Sequence, residues 1–364
     1  LQTEERDALS SAQEETEGKE RGQKSQEGRP EMKAFADLTW RGQSRRLRHL
    51  ALQALRLYEL EVDRVSWVSR WTNDILRVRT RDGAVYALRL CCPGWRTRED
   101  LLLEVAWLEA LQRDVDLNTP RIVHSRDGSP FVEVGGEDGA EPRRCFLVHW
   151  SRGIRLGLRL TEANLYKMGN LFAQLHAHGV AFVQPSGLPV KKMDGVYVRG
   201  GEEILLDALH RAKVAPRIMM LFERTIEKVD AAFAQRYADP AGFRVIHNDL
   251  HHDNINLYRG RLYPFDFEDV IWGYPVQDIA TAMQDLMDDT MPDAFEPLQD
   301  AFRAGYECHS PWPERYPGEV DMFRMGFVLK GANNKAFDGE EALHQHVLAV
   351  APMVEAFFNT GQLR

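Results

Sequence analysis

The sequence predicts an α+β fold of two lobes: a small antiparallel β-sheet lobe with one main helix, then a larger, mostly helical lobe. Three observations carry this. Short strand-like stretches broken by Asp-Gly turns occupy much of residues 60–148, the pattern of hairpins. From about residue 160 the apolar positions recur at helical spacing instead. Between the two regimes, Cys145-Phe146-Leu147-Val148 runs into Trp150-Ser151-Arg152-Gly153, setting a boundary near 148–152. The chain therefore divides into a tail (1–34), a β-rich lobe (35–148) and a helical lobe (149–364).

In the tail the large apolar residues are only Leu1, Leu9 and Met32. Such a stretch cannot bury enough surface to offset its ordering entropy, so it reads as disordered. With Leu1 first and Met32 beside the first patterned residues, it reads either as a functional arm or as an over-extended reading frame. Fold reasoning starts at Phe35.

A helix is expected from Phe35 to about Leu60, with Leu47, Leu50 and Leu57 apolar among Arg45, Arg46, Arg48 and Arg56. Its basic face suits solvent, or an acidic partner. Ile75–Arg79 and Val85–Leu90 flank Asp82-Gly83 as a hairpin. Thr97 opens a helix, with Asp100 completing a capping box and Leu101, Val105 and Leu108 as its stripe. A second hairpin is expected around Asp127-Gly128, and Cys145–Val148 closes the sheet. In the second lobe Thr161–His178 is a helix with Leu165, Met168, Phe172 and Leu175 on one face, stopped by Gly179. Further helix is expected across 203–236, a β insert at about 243–266, and helix again to the C-terminus.

A chain of 364 residues can build a bilobal enzyme with a sizeable core. The net charge of −9 argues against a nucleic-acid footprint, which is basic. Cys91, Cys92, Cys145 and Cys308 form no CxxC and no spaced framework, so free thiols in a reducing compartment are expected. No apolar run approaches the roughly 18 residues of a membrane span, and no secretory signal is visible. A soluble, cytoplasmic protein is expected.

The chemistry concentrates in His247-Asn248-Asp249-Leu250-His251-His252-Asp253-Asn254 and, twelve residues after Asn254, Asp266-Phe267-Glu268-Asp269. Phe243–Ile246 reads as a strand entering the loop, and Asn254–Tyr258, Arg259-Gly260 and Arg261–Phe265 as a hairpin after it. That hairpin can set Asn254 opposite Asp266, so that two hard oxygens converge on one cation such as magnesium. Asp249 would then face an incoming hydroxyl. A single Asp is more simply a turn residue, but three suitable residues in this context point to phosphoryl transfer. A metal-hydrolase reading would instead make ligands of His247, His251, His252 and Asp253, though no HExxH accompanies them. His247 more simply braces the loop, with Asp278 as partner, or Asp278 caps the helix Ile279–Met283. In the first lobe Glu104 shares a helix face with Leu101, Val105 and Leu108. A carboxylate there requires a cation, and Arg89 on the preceding strand is the candidate. Such a pair either is structural or presents a cation to phosphates. Asp285, Asp288, Asp289 and Asp293 either lie on a solvated surface or line a cleft suited to a cationic small molecule.

Over about 60–357 the chain resembles the aminoglycoside phosphotransferase superfamily, small-molecule relatives of protein kinases. That superfamily includes choline and homoserine kinases and a bacterial stress-response Ser/Thr kinase. The most specific segments are HNDLHHDN and FDFED, supported by YALRL…REDLLLEVAWLEAL and FLVHWSRG. The resemblance implies a bilobal protein-kinase-like fold and a kinase using ATP and Mg²⁺, with Asp249 as catalytic residue and Asn254 and Asp266 as metal ligands. Arg89 matches the phosphate-binding cation of the third strand and Glu104 its partner. The backbone of Val148, His149 and Trp150 matches the hinge that binds adenine. Three departures stand out: Asn248 replaces a common glycine, Arg89 replaces lysine, and Ser66–Asn73 contains no glycine. In that last stretch Ser69, Thr72 and Asn73 are the side chains left to donate to phosphates. The acceptor is expected to be a small-molecule hydroxyl, with no nucleic-acid or membrane partner. The alternatives are a Ser/Thr protein kinase and a catalytically silent nucleotide-binding protein.

Overall fold

The computed structural model describes residues 34–363 apart from 71, 136–141, 198–202 and 212, with backbone alone at 208 and 209. Of the expected tail, only Ala34 falls within the described residues.

A 3₁₀ turn at Phe35–Asp37 leads into α1 (Trp40–Leu55), whose N-cap Thr39 accepts from Gly42 N. Strands β1 (Val62–Arg70), β2 (Asp74–Thr80), β3 (Val85–Leu90), β4 (Phe131–Val134) and β5 (Arg143–His149) form one antiparallel sheet in the order β1-β2-β3-β5-β4. Asp82 Oδ1 closes the β2–β3 turn by accepting from Ala84 N at 3.2 Å, and Gly83 adopts φ 87°, the left-handed conformation that glycine tolerates. Helix α2 (Arg98–Asp114) begins with the expected Thr97/Asp100 capping box.

Two details of the first lobe differ from expectation. Helix α1 ends at Leu55, so Leu57 falls beyond it and is exposed, while Leu47, Leu50 and Leu55 are buried. Around Asp127-Gly128 there is a turn but no hairpin. The stretch before it pairs with β5 through Val123 N→Leu147 O, 2.9 Å, and β4 after it pairs with β5 as well.

The apolar interior has two bodies. The sheet shares one with α1, through Leu47, Leu50 and Leu55 against Leu76, Leu88 and Leu147. The apolar face of α2 belongs to the other, which runs through the helical part. Trp107 of α2 meets Phe267 edge-on, ring centroids 5.5 Å apart. Helix α1 thus shares the cluster of Leu76, Leu88 and Leu147, whereas α2 joins the sheet residues Phe131 and Phe146 to the helices below. This matters for the site, because Glu104 sits on α2.

After β6 (Ile154–Arg155) comes α3 (Glu162–Ala181), capped by Thr161. Gly179 does not stop this helix. A Cβ there would strike Val245 O, so glycine instead permits α3 to lie close against the strand that enters the His247–Asn254 stretch. Helix α4 (Pro216–Tyr237) precedes β7 (Arg244–Ile246), β8 (Ile255–Tyr258), β9 (Arg261–Pro264) and β10 (Ile271–Gly273). Strand β7 pairs with β10, and β8 lies between β6 and β9. The chain ends in α5 (Pro275–Asp288), α6 (Pro292–Glu307), α7 (Glu319–Asn334) and α8 (Glu340–Thr360). Among the described residues no helix is long and apolar enough to cross a membrane.

Candidate active site

Strand β7 delivers the chain into a loop whose shape is set by Asp278. This carboxylate is 1 % exposed. It accepts from His247 N at 3.0 Å and from Asn248 N, and His176 Nε2 lies 3.1 Å away. Helix α5 begins at Pro275 with Tyr274 as N-cap residue, so Asp278 lies inside the first turn and grips the loop rather than capping the helix. Asn248 adopts φ 66°, a left-handed conformation that Asn accepts more readily than most side chains. The His-Asn-Asp sequence is therefore compatible with the turn that glycine would otherwise make. The His247 ring packs on Phe267 at 4.4 Å between centroids, with Nε2 3.2 Å from Phe265 O. Burial pushes its pKa down, leaving a neutral brace between the loop and the segment before Asp266.

The three acidic and amide side chains then come together. Asn254 Nδ2 donates to Asp249 O at 2.9 Å and Asp249 Oδ2 at 3.0 Å, so its carbonyl oxygen is the atom left for a cation. Phe265 N donates to Asn254 O at 2.9 Å, extending the β8–β9 ladder and setting Asp266 beside Asn254. Asp266 itself takes φ 64°. The remaining histidines diverge: His251 Nδ1 lies 3.9 Å from Asp285 and His252 Nε2 2.9 Å from Asp289. His252, Asp253 and Asp289 keep ligand atoms within 4.8 Å of one another, but His247 faces elsewhere.

Asn254 and Asp266 stand at the foot of a cleft of about 480 Å³ between sheet and helices, the size range of small-molecule sites. The sheet contributes Ser69, Ala87 and Arg89, and the strand leaving it contributes Val148, His149 and Trp150. Arg89 is held as the sequence suggested, at 3.1 and 2.5 Å from the two oxygens of Glu104. Both are buried, and the guanidinium also lies over Phe146, 4.9 Å from the ring centre. Burial alone would lower the Arg89 pKa, but Glu104, together with Cys91 and Glu268, outweighs it and holds the guanidinium charged.

Two of the expected nucleotide contacts have partners within the protein. Asn73 is buried and does not line the cleft: its Nδ2 donates to Glu268 and its Oδ1 accepts from Cys92 N at 3.1 Å. The N–H groups of His149 and Trp150 are already donated to Arg121 O at 2.9 Å and Val85 O at 3.0 Å. A ligand here meets the carbonyl oxygens of this segment, or amides beyond Trp150.

The profile of the phosphotransferase enzyme family matches residues 67–315, more than half of the chain. The chain belongs to this family. Among solved structures this phosphotransferase is similar to a microcompartment-associated aminopropanol kinase, at TM-score 0.71 and 20 % identity, over 87 % of this chain and 99 % of that one. An amicoumacin kinase in complex with AMP-PNP, Ca²⁺ and Ami matches at TM-score 0.70 and 15 % identity, over 84 % and 92 %. A spectinomycin phosphotransferase in complex with ADP matches at TM-score 0.59 and 11 % identity, over 87 % and 98 %. At these identities the likeness establishes the kinase-like fold. Among curated proteins none is similar enough in sequence to match.

The phosphotransferase's acidic groups perturb one another. Burial, then Asp269, Asp266 and Asp285, push the Asp249 pKa well above the carboxylate range, with Lys330 opposing. Burial and Glu268 push Asp266 up to about 7. Asp285 is also pushed up to about 7, by burial and by Asp288 and Asp289. Charge of one sign gathered this way is what a cation would relieve.

Sequence reasoning gave no role to Glu268, which takes Asn73 and faces Arg89 at 3.8 Å. It also missed two ties across the cleft, Arg96–Asp269 at 2.6 Å and Lys191–Asp100 at 2.6 Å. Glu268 lay inside the quoted FDFED motif, so a signal existed. Nothing in the local pattern marks Arg96 or Lys191.

Proposed function

We propose that the protein transfers the γ-phosphoryl group of ATP, held with Mg²⁺, to a hydroxyl of a small molecule. The observation that carries this is the meeting of Asp249, Asn254 and Asp266 beside a cleft walled by Arg89 and the Val148–Trp150 segment. The donor set fits magnesium, since a carboxamide oxygen and a carboxylate are hard ligands and the mutual strain of these carboxylates calls for positive charge. When bound, the ion would neutralise charge on the phosphates.

The protein's own residues do the rest. Asp249 orients the acceptor hydroxyl and takes its proton. The acceptor oxygen forms a bond to the γ-phosphorus while the bond to the β–γ bridging oxygen breaks, its electron pair leaving with ADP. Asn254 steadies Asp249 through the 3.0 Å bond. Arg89, fixed by Glu104, offers its remaining N–H groups to the phosphates. Ser69 is the hydroxyl on the sheet side able to reach them. Catalysis is then largely positioning and charge stabilisation.

The acceptor that suits the site best is a cationic alcohol. Asp285, Asp288 and Asp289 share the C-terminal end of α5, where His251 and His252 face Asp285 and Asp289, and Asp285 acts electrostatically on Asp249. The similarity to an aminopropanol kinase supports an amino alcohol over a protein hydroxyl. The test is ATP consumption with Mg²⁺ against amino alcohols, amino sugars and generic protein substrates. Turnover with a small hydroxylated amine that Asp249→Ala abolishes supports the reading. Transfer only to protein would favour a protein kinase, and no ATP turnover with any acceptor would sink it.

A further inference from the structure

The turn after Asp266 holds a buried carboxylate that the reaction above does not use. Glu268 is 9 % exposed. Its Oε2 accepts from Asn73 Nδ2 and lies 3.8 Å from Arg89 Nη1. Asn73 is fixed at its other end by Cys92 N, 3.1 Å from its Oδ1. The same Arg89 Nη1 is 3.9 Å from Asp266 Oδ1. One guanidinium nitrogen therefore stands between two carboxylates at nearly equal range, while Glu104 holds the head at 3.1 and 2.5 Å.

That balance has a consequence for Asp266. A guanidinium facing a single carboxylate closes to a direct bond, because charge-assisted N–H···O⁻ contacts are strongest near 2.8 Å. If Asp266 alone faced Nη1, the closed pair would occupy the oxygen that a divalent cation needs. Building on the phosphoryl-transfer reading, we infer that Glu268 is a positioning residue that draws Arg89 off Asp266 and so keeps that carboxylate open to the cation. Asn73 acts one step further back. By gripping Glu268 from the turn between β1 and β2, it sets how near Glu268 stands to Arg89. The sequence had assigned Asn73 to the nucleotide; the structure gives it a hold on the residue that governs the metal side. The arrangement also explains why Arg suffices where lysine is usual: the planar head can span Glu104 and still stand between two further acids.

The test titrates Mn²⁺ into the full-length protein with ADP, reading free Mn²⁺ by electron paramagnetic resonance, beside melting curves. Glu268→Gln keeps the shape and an acceptor for Asn73 but removes the charge. It is expected to raise the Mn²⁺ half-saturation roughly tenfold, the usual scale for residues that hold a metal ligand in place. Asn73→Ala should shift it the same way by a smaller factor, and it carries the test alone if Glu268→Gln does not fold. Variants with a lowered melting temperature but wild-type half-saturation would show a merely structural tie and overturn the inference. A wild-type protein that binds no Mn²⁺ with ADP would instead strike the phosphoryl-transfer reading, and this inference with it.

Discussion

The two walls of the cleft handle charge in opposite ways. In the sheet the buried charges are paired: Arg89 with Glu104 at 2.5 Å, and Arg143 with Asp74 at 2.9 Å. On the helical side burial and neighbouring acids push up Asp249 (through Asp269, Asp266 and Asp285), Asp266 (through Glu268) and Asp285 (through Asp288 and Asp289), outweighing the opposing pull of Lys330 on Asp249 and of Arg89 on Asp266. Paired charge belongs to the scaffold, since removing one partner leaves an uncompensated ion. Unrelieved charge of one sign is instead the mark of a site prepared for a ligand. On the function proposed above, the helical wall would carry the reaction and the sheet wall would hold the nucleotide in place.

The sharpest way to break this contrast is to remove one group from each wall. Asp249→Ala should cut kcat by about 10²–10⁴-fold, the range of a positioned base, while ADP binding measured by calorimetry persists. On the other wall Arg89→Ala should act first on stability, lowering it by about 3–5 kcal/mol in denaturant unfolding because Glu104 stays buried without its partner. The double change Arg89→Ala with Glu104→Ala should recover part of that loss. If Arg89→Ala unfolded like the wild type, the paired wall would not be the scaffold described here.

A smaller effect comes from protons. The Asp266 carboxyl is pushed up to about 7, so in the free protein it holds a proton below that pH and releases it above. A cation must displace this proton, so divalent-ion affinity should rise as pH increases, by up to about tenfold per unit below pH 7. It should then level off near pH 8. Affinity that stays flat between about pH 6 and 8 in a calorimetric titration would show that no such proton is displaced. The smallest expected effect lies farthest from the transfer. Asp288→Asn with Asp289→Asn should raise KM for a cationic acceptor by about 2–10-fold, as partly exposed charges do, with KM for ATP unchanged. Equal KM values for the acceptor would remove the cationic-acceptor idea.

The helical wall was the more legible in the sequence. Asp249 and Asn254 are joined to Asp266 by a single loop and hairpin, so His247–Asn254 and the hairpin to Asp266 brought the geometry with them. The Arg89–Glu104 pair was also readable, because a carboxylate on an apolar helix face demands a cation and one strand offered it. What escaped were interactions set by tertiary packing. Asn73 reads as a loop donor until the sheet turns it toward Glu268, 195 residues away. The hinge segment could be located in the sequence, but not that Arg121 O and Val85 O take the N–H groups of His149 and Trp150. Which body the apolar face of α2 would join was not readable either, since periodicity shows that a face is buried but not against what. Gly179 read as a stop, when the real constraint was the neighbouring Val245 O.

The central claim is that Asp266, with Asn254, holds a divalent ion on the nucleotide. Calorimetric ADP binding with and without Mg²⁺, in the wild type and in Asp266→Asn, tests it most directly. The account predicts that Mg²⁺ strengthens ADP binding in the wild type and has little effect in the variant. The same strengthening in both proteins would contradict it.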